Sequence, residues 1–192
     1  MSKIAVNEIT NEAGTGGPTL PNGVAGGLTL GGDLDIGSSK ITNGATGGIE
    51  IDAAGRVTMP YQPAFLAGMA NDRSFSSGEV IIWNAVQTNT GGYYNSSNGR
   101  FTAPIAGRYF FNFSIWSTSS TTTRCAFYKN GGAAFSPHSP FPAGTRNNGG
   151  SQQNDSSSIV LTCEAGDYID IRCYAGEVNS FGSNTFSGFL IG

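Results

Sequence analysis

The chain has 192 residues, of which only 12% are charged, and its net charge is −3. Its 29 glycines and 11% aromatic residues favour a folded protein with an aromatic core over a charged disordered chain. No Lys/Arg cluster and no apolar run of about 20 residues occur, so we expect no nucleic-acid partner, no membrane span and no cleaved secretion signal.

The first 27 residues mix apolar and turn-forming residues and contain GTGGP at 14–18 and PNG at 21–23. This opening resembles the N-terminal segments of tail fibres and other virion structural proteins of tailed bacteriophages. The resemblance implies a virion-anchoring segment over residues 1–27 that contacts other virion proteins. The residues expected to make these contacts are Ile4, Val6, Ile9, Pro18 and Pro21.

Residues 28–62 alternate apolar and polar residues in short pieces, at 28–30, 34–36 and 49–51, separated by Gly pairs or Asp, Asn and Ser turns. Strands of three residues bury too little apolar surface to fold alone. The pattern therefore predicts an extended, Gly-rich β stalk in which identical copies intertwine. The composition also fits a flexible linker.

The head, residues 63–192, contains a long strand in which Tyr109, Phe111, Phe113 and Ile115 alternate, so one face of the strand must be buried. The predicted head core consists of Phe101, Tyr109, Phe111, Phe113 and Phe189. On the other face, Phe110 and Trp116 would form an exposed apolar patch in a single chain, and such patches mark contact surfaces. We predict that both are trimer contacts, the alternative being that a loop of the same chain covers them.

Two further segments alternate on either side of residues 164–167, which suit a tight reversal, and they predict a hairpin. Their apolar residues are Ile159, Leu161 and Cys163, then Ile169, Ile171 and Cys173, and the opposite face of the second strand carries Tyr168, Asp170, Arg172 and Tyr174. The three cysteines, which include Cys125, show no CxxC spacing, and we interpret them as small core residues.

The spacing of Trp83, Asn89, Tyr94, Phe101, Gly107, Tyr109, Phe111 and Phe113 resembles the signature of the complement C1q and tumour necrosis factor-like domain. AFLAG at 64–68, FYKNG at 127–131 and TFSGFLIG at 185–192 resemble other strands of that family. The resemblance implies an all-β fold, a ten-stranded jelly-roll sandwich that is homotrimeric and serves as a binding head on a fibrous stalk.

The segment from Gly131 to Asp155 is rich in Pro, Gly and Asn, which disfavour regular structure. Its aromatic, hydrogen-bonding and charged side chains are typical of recognition surfaces. We predict a ligand-contact loop for a host-surface glycan or protein, formed by Phe135, His138, Phe141, Arg146, Asn147 and Asn148. The alternative is that Phe135 and Phe141 fix the loop to the sandwich and touch no ligand.

Catalytic chemistry is not indicated. His138 is the only histidine, and no Gly-x-Ser-x-Gly elbow is present. We interpret Asp155, Glu164, Asp167, Asp170 and Glu177 as solvated carboxylates at turns or on outer strand faces. Some relatives bind calcium, but the chain lacks an Asp-x-Asp-x-Asp loop. We expect no catalytic residue, no cofactor and no metal site.

Together these features predict a non-enzymatic, homotrimeric bacteriophage virion protein that is assembled in the host cytoplasm. The most direct interpretation is a short tail fibre whose head binds the host cell surface. A capsid-decorating protein with a projecting head is the first alternative. A glycan hydrolase of the cell surface is the second.

Overall fold

A computed structural model describes residues 40–42, 48–51, 54–71, 74–117, 123–134, 144–147, 153–175, 178–179 and 184–192. These residues belong to one compact unit, Lys40–Gly192. The strands expected at 28–30 and 34–36 lie outside the described residues, as do all the predicted anchor residues, which are Ile4, Val6, Ile9, Pro18 and Pro21.

Within the described ranges, all regular secondary structure is β-strand. In chain order the strands are β1 Lys40–Thr42, β2 Gly48–Ile51, β3 Val57–Thr58, β4 Ala64–Gly68, β5 Ser74–Phe75, β6 Ala85–Thr90, β7 Tyr94–Asn95, β8 Arg100–Thr102, β9 Gly107–Ser117, β10 Thr123–Lys129, β11 Gly132–Ala133, β12 Gly144–Asn147, β13 Gln153–Cys163, β14 Tyr168–Ala175, β15 Val178–Asn179 and β16 Thr185–Leu190.

The strands before the head form a small antiparallel sheet in the order β1-β2-β3. The strand predicted at 49–51 lies in β2, where Ile49 pairs with Ile41 and Glu50 pairs with Thr58. In the single chain these short strands therefore pair with one another. Intertwining of several copies in a stalk stays a prediction.

The head is a sandwich of two antiparallel sheets, in agreement with the predicted all-β class. One sheet has five strands in the order β13-β9-β16-β4-β6, and the other has the order β11-β10-β14-β8-β7 with β12 also paired to β10. A separate pair joins β15 to β5. The prediction of ten strands differs from this count, because turns divide the second sheet into short strands such as the two-residue β7 and β11.

The long strand β9 lies inside the five-stranded sheet and pairs with β13 over its whole length and with β16 on its other side. Its alternate residues face the sandwich interior, as the period-two pattern predicts. The structure buries Phe101, Tyr109, Phe111 and Phe113 completely. The rings contact one another across the sandwich, with centroids 5.5 Å apart for Phe101–Phe111 and 4.9 Å apart for Phe113–Phe127.

The prediction that Phe189 belongs to the core is wrong for the single chain, since 47% of its surface is exposed. Phe186 and Gly188 of β16 face inward and are buried. Because neighbouring residues of a strand point to opposite faces, Phe189 must point outward. The room that Gly188 leaves is filled by the rings of Phe65 and Phe111.

The prediction of a hairpin around residues 164–167 is also wrong. Strand β13 pairs with β9 in the five-stranded sheet, whereas β14 pairs with β10 and β8 in the other sheet. The turn is thus a corner that carries the chain from one sheet to the other. Leu161 and Ile171 both face the core, but they approach it from opposite sides.

Several signature residues serve the fold directly. The Asn89 side chain accepts a hydrogen bond from the Tyr94 backbone N–H at 3.0 Å and donates one to the Tyr94 carbonyl at 2.8 Å, which fixes the turn between β6 and β7. The Tyr94 hydroxyl donates to the buried Trp83 carbonyl at 2.9 Å, and burial raises the pKa of Tyr94. The Tyr109 hydroxyl donates to the Ile105 carbonyl at 2.9 Å.

Two of the three core cysteines lie directly opposite each other, Cys125 in β10 and Cys173 in β14. The backbone N–H and carbonyl of Cys173 bond to Glu79 and Gly78, so they point away from β10. The cysteines therefore form a non-hydrogen-bonded pair, the arrangement in which opposite side chains approach most closely. The adjacent Cys173 thiol and burial together raise the pKa of Cys125.

Candidate binding surfaces

An apolar row crosses the outer face of the five-stranded sheet. Phe110 of β9 lies opposite Val160 of β13 on one side and opposite Phe189 of β16 on the other. The Phe110 and Phe189 rings contact each other with centroids 5.3 Å apart. Val160 is 53% exposed and Phe189 is 47% exposed. We call these three residues the outer row, and its middle residue is one of the two predicted trimer contacts.

The second predicted contact, Trp116, lies on the same strand near its far end and is half-buried. Its backbone N–H donates to the side chain of the buried Asn184 at 2.5 Å. Phe110 and Trp116 thus occupy separate places along β9, six residues apart, and do not form one patch. Contact of either residue with another chain stays a prediction.

Apolar residues are also exposed at the base of the head, where the chain enters and leaves the sandwich. Met59, Tyr61, Ile105 and Ile191 are all exposed. They line a cavity of about 410 Å³ together with Leu190. The base adjoins the outer row, because Phe189 and Leu190 are consecutive.

The entering and leaving segments are hydrogen-bonded to each other at this base. The Leu190 N–H donates to the Pro63 carbonyl at 3.0 Å, and the Gln62 side chain donates to the Leu190 carbonyl at 2.6 Å. Residues 62 and 190 are therefore held side by side, although 128 positions separate them in the sequence.

The outer face of the other sheet carries a charged and aromatic group that we call the arginine cluster. It consists of Arg100 on β8, Tyr128 on β10, and Tyr168, Asp170 and Arg172 on β14. Arg172 grips Asp170 with two bonds, Nε to Oδ1 at 2.8 Å and Nη2 to Oδ2 at 3.1 Å. The Nε of Arg100 approaches Asp170 Oδ2 at 3.3 Å.

Both guanidinium groups of the cluster lie over tyrosine rings. The Arg100 Cζ is 4.2 Å from the centroid of the Tyr168 ring, and the Arg172 Cζ is 4.7 Å from that of Tyr128. The Asp170 side chain has no exposed surface, while those of Arg100 and Arg172 are 36% and 20% exposed. The prediction that Asp170 is a solvated carboxylate is therefore wrong, because two cations cover it.

Arg100 was not predicted from the sequence. Alternation placed Tyr168, Asp170 and Arg172 correctly on one strand face, but it gave that face no partner strand. The useful signal would have been the neighbouring strand: Arg100 precedes Phe101, which faces the core, so Arg100 must face outward as Asp170 does.

The turn Lys129–Gly131 is fixed to the corner between β13 and β14. Asp167 accepts hydrogen bonds from Lys129 Nζ at 2.7 Å and from Asn130 Nδ2 at 2.6 Å. It also accepts one from the Glu164 backbone N–H at 2.7 Å. These bonds, that from Lys129 foremost, lower the pKa of Asp167 to about 2. The carboxylate that looked solvated in the sequence thus connects two turns.

Most of the predicted ligand-contact loop cannot be compared with the structure. Phe135, His138, Phe141 and Asn148 lie outside the described residues. Arg146 and Asn147 lie in β12, where they pair with Arg124 and Thr123 of β10. Nothing in the structure tests a role in ligand contact, so the six-residue assignment stays a prediction.

Metal-binding and membrane-spanning features are absent from the described ranges. There, no three His, Cys, Asp or Glu side chains are grouped so that they could hold a metal ion. The same ranges contain no helix that is long and apolar enough to cross a membrane.

Comparison with known proteins places the head among characterised relatives. Residues 64–191 match the family model of the C1q domain. The chain is 29% identical over 143 residues to a subcomponent of mouse complement C1q, covering 71% of this chain and 53% of that protein. It is 31% identical over 133 residues to mouse complement C1q tumor necrosis factor-related protein 3, covering 68% of this chain and 51% of that protein.

Solved structures agree at the level of the fold. The globular domain of the zebrafish complement 1qA protein matches with a TM-score of 0.53 and 20% identity, covering 68% of this chain and 98% of that one. The Eiger TNF of S. frugiperda matches with a TM-score of 0.50 and 12% identity, covering 69% of this chain and 94% of that one. The chain spans about half the length of the curated relatives it matches.

Proposed function

Because this chain belongs to the C1q domain family through residues 64–191, we propose that it acts by binding, as one subunit of a homotrimer whose heads attach to another surface. The family resemblance implies threefold assembly. The observation that carries the proposal is the outer row, in which Val160 and Phe189 remain about half exposed beside Phe110 in the single chain. Contiguous exposed apolar surface of this kind marks contact sites.

The energy available from the outer row is enough to matter. Burying a Val or Phe side chain completely is worth about 1.5–3 kcal/mol. Val160 and Phe189 are already half-buried, so each would add about 1 kcal/mol on burial in an assembly. The exposed apolar residues at the base, Met59 and Ile191 among them, extend the same surface. A closed threefold arrangement would use each contribution three times.

The N-terminal segment suggests a structural particle as the place of action. We propose that the protein is a short bacteriophage tail fibre whose head binds the host surface, because the GTGGP and PNG elements resemble virion-anchoring segments. Three heads on one fibre would strengthen weak contacts through their high effective concentration. The names of the two curated relatives described above denote no enzyme, which supports binding rather than catalysis.

Assembly is tested by sedimentation velocity over a dilution series. We expect the mass of three chains for the natural sequence. Replacing Val160 and Phe189 together by Gln should shift the equilibrium towards single chains, whereas Val86→Gln on the edge strand β6 should not, although Val86 is also exposed. A single subunit at all concentrations, or equal effects of both variants, would refute the proposed assembly.

Attachment and location are tested separately. Fluorescently labelled protein should bind host cells, and removing residues 1–27 should leave this binding intact. If the same deletion weakens the capsid instead, the protein decorates capsids. Release of reducing sugar from host envelopes would contradict binding without catalysis.

A further inference from the structure

We propose that the arginine cluster binds the carboxylate of an acidic sugar. The inference rests on the binding role proposed above and names the chemical class of its ligand, but it does not require the trimer. The site lies on the outer face of the sheet that contains β8, β10 and β14. The outer row lies on the other sheet, so assembly through that row would leave the cluster open.

The charge of the cluster favours an anionic ligand. Arg172 alone neutralises Asp170, because its fork meets both carboxylate oxygens at 2.8 and 3.1 Å. Arg100 adds only one longer contact, at 3.3 Å. It is thus a surplus cation that the ion pair does not need. The cluster carries one net positive charge on a chain whose net charge is −3.

Hydrogen-bond donors of Arg100 remain available to a ligand. A guanidinium has five N–H donors in a planar fork that fits a carboxylate. In the described part of the chain, Arg100 uses only its Nε on Asp170, so both of its terminal nitrogens keep their donors. Its side chain is 36% exposed, which lets a ligand reach those nitrogens.

The Arg100 side chain is already oriented in the single chain. Its guanidinium lies 4.2 Å from the centroid of the Tyr168 ring and also contacts the fixed Asp170 carboxylate. A side chain held in place loses less entropy when it binds a ligand. Gly131 keeps the neighbouring space open, since a Cβ there would lie 3.3 Å from the Tyr168 hydroxyl.

A sugar suits the rest of this face. Within the described residues, the hydroxyl groups of Tyr128 and Tyr168 are used in no hydrogen bond, and each can both donate and accept. Such groups on a flat sheet face match the hydroxyls of a pyranose ring lying on it. The carboxylate would supply the charge contact to Arg100, and the ring hydroxyls would supply the polar contacts to the tyrosines.

The test is titration of the full chain with sodium glucuronate and with glucose, followed by NMR at low ionic strength. These sugars differ at the carboxylate, so we expect glucuronate to bind and glucose to bind at least about tenfold more weakly, the usual effect of losing a charge-assisted hydrogen bond. Equal binding of the two sugars, or no binding of glucuronate, would overturn the proposal.

Variants locate the site. Arg100→Gln should weaken glucuronate binding about tenfold, and Arg100→Lys should restore only part of it, because lysine keeps the charge but lacks the fork. Arg108→Gln is the matched control, since Arg108 is an exposed arginine on the other sheet. Circular dichroism verifies that each variant is folded. Equal losses for Arg100→Gln and Arg108→Gln would show a general charge effect and refute the site.

Two further measurements complete the design. Inorganic phosphate should compete poorly with glucuronate, and competition at equal concentration would refute selection of a sugar carboxylate, because the cluster would then select charge alone. Sedimentation of the same samples separates this inference from the proposed assembly. Single chains that bind glucuronate would refute the trimer and support the site, whereas trimers that ignore glucuronate would do the reverse.

Discussion

The substitution Gly188→Ala inserts one methyl group into the centre of the sandwich. Gly188 is buried in β16, between β9 and β4. A Cβ at this position would lie 2.8 Å from Phe111 Cε1 and 2.9 Å from Phe65 Cε1, and closer still to Phe111 Cδ1. Real Cβ atoms do not approach other atoms so closely, so at least one ring must move.

Neither ring has room to move freely. Phe65 stacks on Tyr94 with centroids 4.8 Å apart and on Phe101 at 5.1 Å. Phe111 contacts Phe101 at 5.5 Å on its own side of the core. Overpacking a tight core costs about 1–3 kcal/mol, and this site belongs to the upper part of that range. Restricting the unfolded chain returns about 0.4–1 kcal/mol, so the net loss should be about 1–2 kcal/mol.

Urea denaturation at fixed protein concentration measures this loss, since association contributes to the apparent stability. Gly132→Ala is the control. Gly132 is exposed, its added Cβ would lie 3.6 Å from the Lys129 carbonyl oxygen, and its φ is not in the left-handed region. The control should be neutral or slightly stabilising. A change below about 0.5 kcal/mol for Gly188→Ala would show that the rings yield easily and would refute the packing argument.

Three other predictions concern named groups. Since the folded-state pKa of Asp167 is lowered to about 2 from 3.8, its stabilisation is present at neutral pH and is lost as the pH falls from about 4 towards 2; Asp167→Asn should flatten that decline in acid denaturation curves. Tyr94→Phe should cost about 1 kcal/mol in urea denaturation, because the buried Trp83 carbonyl loses its donor; an unchanged midpoint would contradict this. Mild oxidation should join Cys125 to Cys173, seen as a loss of two hydrogens in intact mass, since opposite cysteines of a non-hydrogen-bonded pair fall within disulfide range; Cys125→Ser should abolish the mass change.

The sequence was most informative where one residue pattern has one structural meaning. Alternation along β9 identified the buried side of the strand, and Tyr109, Phe111 and Phe113 all lie there. The same pattern gives no information about which sheet a strand joins. Alternation around residues 164–167 fitted a hairpin and an inter-sheet corner equally well, because both place apolar residues towards the same core.

Two errors at single residues have similarly specific causes. Phe189 was assigned to the core by its size, whereas its parity with Phe186 places it outside; a glycine at the inward position 188 obscured the alternation. Asp170 was assigned to solvent by its charge, because the arginine that covers it from β8 is 70 positions distant. Contacts between strands so far apart along the chain need the topology, which the residue pattern did not supply.

The hydrogen bonds between residues 62–63 and 190 have a practical consequence for engineering. A module whose two ends are neighbours can be spliced into a surface loop of an unrelated carrier with short spacers and little distortion of the host. Residues 62–192 could therefore be displayed as a pendant on a monomeric carrier, or on one that already has threefold symmetry. Comparing the two carriers would measure how much adhesion each additional copy contributes.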